Sequence, residues 1–363
     1  MKNLTLKTPR GNYTVYVGNV LFLSDVIKKE LLSNRKVFVV FDENVPTEFV
    51  YNIKNALKRA NSDVFLHNFS SGEENKNLES VLKIASKAFE VGITRKDVFF
   101  AVGGGVVSDV VGFLSSVYMR GVGFYCVPTT LLSAVDACVG GKNGVDLPEG
   151  KNLIGTFYNP EAVFCDTAAF ASLNERDIKN ALGECVKYAL IDGGKLWKYF
   201  IDTSLNSPEN NDYRHIISDN QLTEKLIFAC LSVKKRFVEK DQFDKGERAV
   251  LNLGHTVGHA IEAMSDYKLS HGECVAKGIV QELRASVNMG FTDKSVLTDV
   301  ISIFETLGIS TDNPFLAEDE IGYIYVDKKR AGDSINIPVI ISPGEYEIKN
   351  IGISEYKEFL CRL

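Results

Sequence analysis

Between residues 36 and 130 the chain alternates short apolar runs with segments of helical spacing. KVFVVFD at 36–42 is a β-branched run ending on Asp42, the pattern of a buried parallel strand. Residues 46–60 are spaced as a helix, SDVFLHNF at 62–69 reads as a strand, and NLESVLKIASKAFEVG at 77–92 is a helix with a glycine stop. DVFFAVGGG at 97–105 is a strand running into three glycines, VSDVVGFLSSVYM follows as a helix, and GVGFYCVPTT at 121–130 is a strand closed by proline. This rhythm predicts an α/β N-terminal domain on a Rossmann-like parallel sheet covered by helices. Ahead of it, MKNLTLKTPRGNYTVYVG alternates apolar and polar residues as a strand does.

After about residue 170 the texture changes, and helical patterns dominate at 175–192, 221–239, 247–265, 272–289 and 294–307. Late strands are expected at 322–326 and 335–341, NPEAVFCDTAAFASL reads as a linker, and SLNSPENNDY at 204–213 reads as a polar surface loop. The expected domains are thus 1–170, α/β, and 171–363, mainly α-helical. Two domains also suit the length of 363 residues, because single cores stop growing near ~250–300 residues.

With 45% apolar and 24% charged residues the composition is that of a soluble globular protein. A net charge of −6 argues against general nucleic-acid binding, while leaving room for a local basic pocket. The seven cysteines are scattered with no CxxC pair, which excludes a zinc ribbon or thioredoxin-type motif and suits reduced thiols in a cytoplasm. The N-terminus has no apolar export-signal core, and no segment approaches the ~18 apolar residues of a membrane span. A cytoplasmic chain with no membrane or nucleic-acid partner is expected.

Three of the five histidines, His255, His259 and His271, lie in LNLGHTVGHAIE and LSHGECVAKG. Each sits beside a glycine, and Glu262 and Glu273 follow closely. Clustered groups that bind metals and titrate near neutrality point to a metal or catalytic site. His255 and His259, four apart, would share a helix face, and HxxxH alone suggests a metal pair. The glycine run VFFAVGGGVVSD offers backbone N–H groups and a helix N-terminus to a phosphate, although Ser108 stands where the third glycine of G-x-G-x-x-G would be. Asp42 and PTT at 128–130 end strands on the edge where open α/β sheets bind ligands. Within residues 118–160, Arg120, Asp136, Lys142, Asn143, Asp146, Lys151 and Asn152 are strewn among glycines, as cations on tight turns facing an anion would be.

Together, GGGVVSDVVGF, YMRG, VPTTLLSAVDACVGGKNGVD, GKNLIGTFYNP, GECVKYALI, LNLGHTVGHAIE and HGECVAKG resemble 3-dehydroquinate synthases, in order from about Asp42 to Lys329. The resemblance implies a homodimer that uses NAD and a divalent metal, zinc or cobalt. It implies conversion of 3-deoxy-D-arabino-heptulosonate 7-phosphate into 3-dehydroquinate and phosphate. It implies an N-terminal nucleotide-binding domain, a helical metal-binding domain, and an active site shared by the two.

Carried over position by position, the metal ligands fall on Glu184, His255 and His271, and His259 becomes a substrate-facing group rather than a ligand. Substrate positions fall on Arg120, Asp136, Lys142, Lys151, Asn152, Lys187, Lys234, Arg248 and Asn252, and on Lys329 in preference to Lys328. NAD positions fall on Asp42, Asn44, Glu73, Lys76, Gly104, Gly105, Val106, Asp109, Thr129 and Thr130, with Lys142, Lys151, Ser172 and Leu173 joining them. Gln242 and Asn143 depart from residues common in the family. Alternative readings are a related cyclase of the 2-deoxy-scyllo-inosose or valiolone type, a metal-dependent polyol dehydrogenase, and a non-catalytic nucleotide-binding protein.

Overall fold

The computed structural model of the chain describes residues 1–19, 35–60, 63–206, 213–328 and 334–361. These form two compact units, one of residues 1–173 and 217–243 and the other of 174–216 and 244–363. The sequence suggests a single cut near residue 170, but the helix Asn220–Lys240 packs with the first unit.

The first unit is built on a seven-stranded sheet. Its strands are β1 (Lys2–Thr8), β2 (Gly11–Gly18), β3 (Lys36–Asp42), β4 (Asp63–Phe69), β5 (Val98–Gly103), β6 (Gly123–Pro128) and β9 (Ala162–Asp166), in the order β1-β2-β9-β6-β5-β3-β4. Only β1 and β2 pair antiparallel; β2–β9, β9–β6, β6–β5, β5–β3 and β3–β4 are parallel. β5 is buried at every position, as a strand covered on both faces must be. Phe100, Tyr125 and Phe164 stack across β5, β6 and β9. The segment expected as a linker therefore holds a wholly buried strand, β9. The strand has five residues, four of them apolar, too few for periodicity to identify. The polar run likewise contains an antiparallel hairpin, β7 (Lys142–Leu147) and β8 (Gly150–Phe157).

The second unit is mainly helical: Glu175–Asp192, Lys195–Asn206, His255–Met264, His271–Asn288, Lys294–Thr306, Ala317–Lys328 and Ile353–Cys361. A hairpin, β10 (Ser334–Ser342) and β11 (Glu345–Gly352), completes it. Val257, Ile261, Ile335, Ile337, Val339, Tyr356 and Leu360 form its core with neighbouring apolar residues. Two expectations change. Residues 322–326 lie in a helix rather than a strand, since Glu318, Asp319 and Glu320 favour a helical first turn and GYIYV is ambiguous alone. The pattern at 247–265 is broken by Gly254 at φ +73, which separates the 3-10 turn Glu247–Asn252 from the helix His255–Met264. Among the described residues no helix is long and apolar enough to cross a membrane.

Asp97 ties the start of β3 to the turn before β5. Its carboxylate accepts from the Lys36 amide at 2.8 Å and from the Thr94 amide and hydroxyl, each at 2.7 Å. Burial pushes the carboxyl up, but the bonds from Thr94 and Lys36 outweigh it and hold it below its ordinary 3.8. A depressed folded value contributes stability above the unfolded value, and that contribution is lost as pH falls through the folded one. Asp97→Ala should therefore cost about 1–3 kcal/mol at pH 7. In urea denaturation the gap to the parent protein should shrink as pH drops below about 4; an unchanged gap at pH 3 would count against the carboxylate.

Candidate active site

In the second unit, three helices meet with unusually close backbones. A β-carbon at Gly183 would strike the carbonyl oxygen of Gly272, and one at Gly272 would strike that of Asn180. The Gly272 amide also donates to Asn180 Oδ1 at 2.6 Å. A β-carbon at Gly278 would strike the Gly254 carbonyl, and one at Gly258 would lie 3.0 Å from that of Cys274. The helix His271–Asn288 is thus pressed against both Glu175–Asp192 and His255–Met264, and only glycine permits this approach. Each candidate ligand adjoins one of these contacts: Glu184 follows Gly183, His255 follows Gly254, and His271 precedes Gly272. Capping fixes where the helices begin. Asn174 accepts from the Asp177 amide, and Ser270 with Glu273 forms a capping box. Glu273, noticed in the sequence beside His271, is therefore a cap.

The three side chains converge. Glu184 Oε1 lies 3.4 Å from His255 Nε2 and 3.6 Å from His271 Nε2, and one ligand atom from each residue falls within 4.8 Å of the others. Glu184 is 0% exposed, and neither oxygen receives a hydrogen bond of good geometry. Its close contact is an ion pair with Lys187, one turn along the same helix. Burial pushes the Glu184 carboxyl up, but Lys187, His255 and His271 outweigh it and hold the group well below the carboxylate range. Burial, and then Lys187, hold the His255 ring well below its ordinary value. Its Nδ1 faces the Leu253 carbonyl at 3.1 Å, so Nδ1 carries the proton and Nε2 turns a lone pair toward Glu184. Burial lowers the His271 ring, but Glu184 and Glu262 outweigh it and raise the group to about 9.

His259 is exposed, with its ring 5.4 Å from that of His255 and 5.8 Å from that of His271. Arg248, buried, and Asn252, exposed, lie on the 3-10 turn leading into Gly254. Lys187, expected at substrate, lies against Glu184, three residues before it on the same helix. Lys329 lies outside the described residues, as does the side chain of Lys328.

In the first unit, the expected nucleotide positions gather on the carboxyl edge of the sheet. Chain order reverses between β3 and β5, which makes that crevice the switch point where such sheets bind ligands. A β-carbon at Gly103 would lie 3.2 Å from Asp42 Cβ, and one at Gly104 would lie 3.1 Å from Thr130 Cγ2. Gly105 and Val106 open the helix Gly105–Val117, and the Thr129 amide donates to the Gly103 carbonyl at 2.9 Å. Ser108 turns its hydroxyl back to Gly105 O at 2.9 Å, so it does not obstruct the loop. Asp42 accepts from Ser71 Oγ at 2.5 Å and from the Asn44 amide at 2.9 Å. Ser71 was not foreseen, because a serine in a loop carries no spacing signal. Ser172 and Leu173 follow β9 at the end of this stretch of the unit.

Lys76 links this edge to the polar run. Its ammonium lies 2.7 Å from Asp109 Oδ2 and 2.7 Å from Asn152 Oδ1, while Lys151 lies 3.4 Å from Glu73. Burial pulls the Lys76 ammonium down but Asp109 outweighs it; burial also pushes the Asp109 carboxyl up, against Lys76. These tendencies oppose each other, and the 2.7 Å separation with a second acceptor on Asn152 favours the ionised pair. Asp136 pairs with Lys234 at 2.6 Å, and the same ammonium donates to the Asp136 carbonyl at 2.8 Å. Lys142 and Arg120 are exposed. Met119 and Arg120 both take positive φ, 47° and 69°, a conformation non-glycine residues rarely adopt without cause.

Comparison with known proteins agrees along the whole chain. A family model described as 3-dehydroquinate synthase N-terminal matches residues 66–180, and one described as 3-dehydroquinate synthase C-terminal matches 181–330. The 3-dehydroquinate synthase of Clostridium kluyveri is 37% identical over 99% of this chain and 98% of its own. Among solved structures, a 2-deoxy-scyllo-inosose synthase complexed with carbaglucose-6-phosphate, NAD+ and Co2+ superposes with TM-score 0.86 at 23% identity, covering 99% of each chain. A 2-epi-5-epi-valiolone synthase from Streptomyces hygroscopicus, with NAD+ and Zn2+ bound, gives 0.83 at 20% identity, covering 96% of each chain. At these identities the two structures establish a shared fold.

If the glycine contacts set the convergence of Glu184, His255 and His271, Gly272→Ala and Gly278→Ala should each destabilise by about 1–3 kcal/mol or more. Gly322→Ala, whose β-carbon would meet nothing within 4 Å, should not destabilise. Chemical denaturation reads all three, and parental stability in the first two would refute the close-approach account.

Proposed function

We infer that this chain, which belongs to the 3-dehydroquinate synthase family, converts 3-deoxy-D-arabino-heptulosonate 7-phosphate into 3-dehydroquinate and phosphate. The observation that carries the reading is the convergence of Glu184, His255 and His271 in a member of this family. A divalent ion fits these groups. A tetrahedral ion holds its donors at ~2.0–2.2 Å and so about 3.3–3.6 Å apart, and the carboxylate oxygen here is 3.4 and 3.6 Å from the two nitrogens. The buried Glu184 carboxylate receives no hydrogen bond of good geometry, and beside its ion pair with Lys187 it presents Oε1 to the two imidazoles, where a cation would be held. NAD fits the glycine loop, where a β-carbon would fill the space between Gly104 and Thr130 and the helix Gly105–Val117 presents its N-terminus.

Bound zinc or cobalt would supply a Lewis acid for hydroxyl and carbonyl oxygens, held by Glu184, His255 and His271. Bound NAD would accept and return a hydride within one turnover, held by Asp42, Asn44, Glu73, Lys76, Gly104, Gly105, Val106, Asp109, Thr129 and Thr130, with Lys142, Lys151, Ser172 and Leu173 at the margin. The remaining roles belong to side chains. His259 is solvent-accessible beside the candidate ligands and takes up and returns the proton of the C5 hydroxyl. Oxidation at C5 makes the neighbouring C6 proton acidic; that proton passes to the departing phosphate as the C7–O bond breaks, and after the hydride returns to C5 the ring opens and recloses by an intramolecular aldol step in a held conformation. Arg120, Lys142 and Lys151 hold the phosphate and carboxylate, with Arg120 suited to a bidentate grip. Asp136, tied down by Lys234, orients a hydroxyl, as do Asn152, Lys187, Arg248 and Asn252. Lys329 is assigned to substrate by resemblance. The same resemblance supports a homodimer working in the cytoplasm.

The decisive assay supplies the heptulosonate phosphate, zinc and catalytic NAD, and measures phosphate release with product identity. Stoichiometric phosphate and dehydroquinate are expected; net NADH accumulating with a polyol, or another cyclitol product, would overturn the reading. His255→Ala should lose bound metal, whereas His259→Ala should keep metal and lose about 10²–10⁴-fold in kcat. Equal metal loss in both variants would show the ligand assignment to be wrong.

A further inference from the structure

The two ring nitrogens of His271 face different acids. Nε2 lies 3.6 Å from Glu184 Oε1, and Nδ1 lies 3.3 Å from Glu262 Oε2. An imidazole that offers one nitrogen to a metal is oriented by whatever its other nitrogen meets, and a carboxylate partner raises its basicity. His255 has a backbone carbonyl in that position, on Leu253. For His271 the partner is a carboxylate, and it belongs to a residue to which neither the reaction nor the family resemblance gives a role.

Local structure explains how Glu262 arrives there. His255, His259 and Glu262 stand at i, i+4 and i+7 on the helix His255–Met264, so they share a face. The helix then ends, and Asp266 and Tyr267 take φ of +50° and +58°, reversing the chain. The Tyr267 amide returns to the Glu262 carbonyl at 3.0 Å, and Ser270 caps the next helix, whose first residue is His271. Glu262, near the end of one helix, is thereby set against His271 at the start of the next. Glu262 is 8% exposed, and a carboxylate so enclosed is costly unless a donor meets it.

We propose that Glu262 is a positioning residue: it accepts the Nδ1 proton of His271, fixes the ring, and presents Nε2 to the metal beside Glu184 and His255. This rests on the reading of those three residues as ligands. A competing arrangement also exists, because His259, Glu262 and His271 form a second group whose ligand atoms lie within 4.8 Å of one another. There Glu262 would bind the ion directly. The hydrogen-bond contact from His271 Nδ1 favours the positioning role, since a nitrogen that donates its proton to a carboxylate has no lone pair left for an ion.

The test is zinc affinity of the full-length protein, by competition with a chromophoric chelator, with X-ray absorption and cobalt d–d spectra for the ligand count. Glu262→Ala should weaken zinc binding about 10–100-fold with the number of first-shell donors unchanged. Glu262→Gln keeps an oxygen acceptor and should fall between this variant and the parent. In a His271→Ala background, Glu262→Ala should add no further loss, which a merely structural role would not predict. Parental affinity in both Glu262 variants would overturn the proposal, as would loss of an oxygen donor from the first shell in Glu262→Ala. Zinc binding by the parent that survives His255→Ala or Glu184→Ala would instead bring down the ligand assignment on which the proposal rests.

Discussion

Backbone-to-backbone contact at glycines is the constraint on which the second unit depends. Helices whose side chains interdigitate sit 8–10 Å apart. At Gly183, Gly272 and Gly278 an added β-carbon would run into a neighbouring carbonyl, so these helices have no side chain between them there. Short side chains can then meet from three directions. Glu184, His255 and His271 each stand next to a contact glycine in sequence, which makes the chemistry and the packing one feature. The αL residue Gly254 serves both purposes. It ends the 3-10 turn and starts the helix with His255, and its amide is held by the buried carboxylate of Glu282 at 2.8 Å.

Charge follows from that packing. A fully enclosed carboxylate is destabilising unless cations or donors surround it. Glu184 has Lys187 on one side and two imidazoles on the other, and no hydrogen bond of good geometry. Glu184, His255 and His271 could hold a divalent ion. In the first unit the same economy recurs in milder form. Lys76 is enclosed, yet it meets Asp109 and Asn152, and so connects the helix after the glycine loop to the hairpin carrying Lys151.

Much of this was legible in the chain. The apolar runs of β3, β5 and β6 are bounded by turn residues, so their character and their ends agree. The clustered histidines, beside glycines, point to the chemistry in the sequence itself. Other elements were hidden for physical reasons. β9 is five residues long and lies in a stretch that reads as a linker. The hairpin β7–β8 carries glycines and cations that look like loop. The break at Gly254 interrupts a pattern that runs smoothly through it, because a single glycine is tolerated in helical spacing. Glu184 lies 71 residues before His255 by the numbering, so no spacing rule joins them; only the family resemblance did. HxxxH favoured His259 as a ligand on spacing, whereas the carboxylate nearest the His255 and His271 Nε2 atoms is Glu184.

If glycine-mediated packing of three helices builds one metal centre, the ion must sit among Glu184, His255 and His271. Anomalous diffraction at the zinc edge, from crystals of the zinc-loaded protein, tests it most directly. One strong peak is expected, bonded to the Glu184 carboxylate and to Nε2 of His255 and His271, with His259 outside the first shell. A peak held by His259 and Glu262, or none near Glu184, would contradict it.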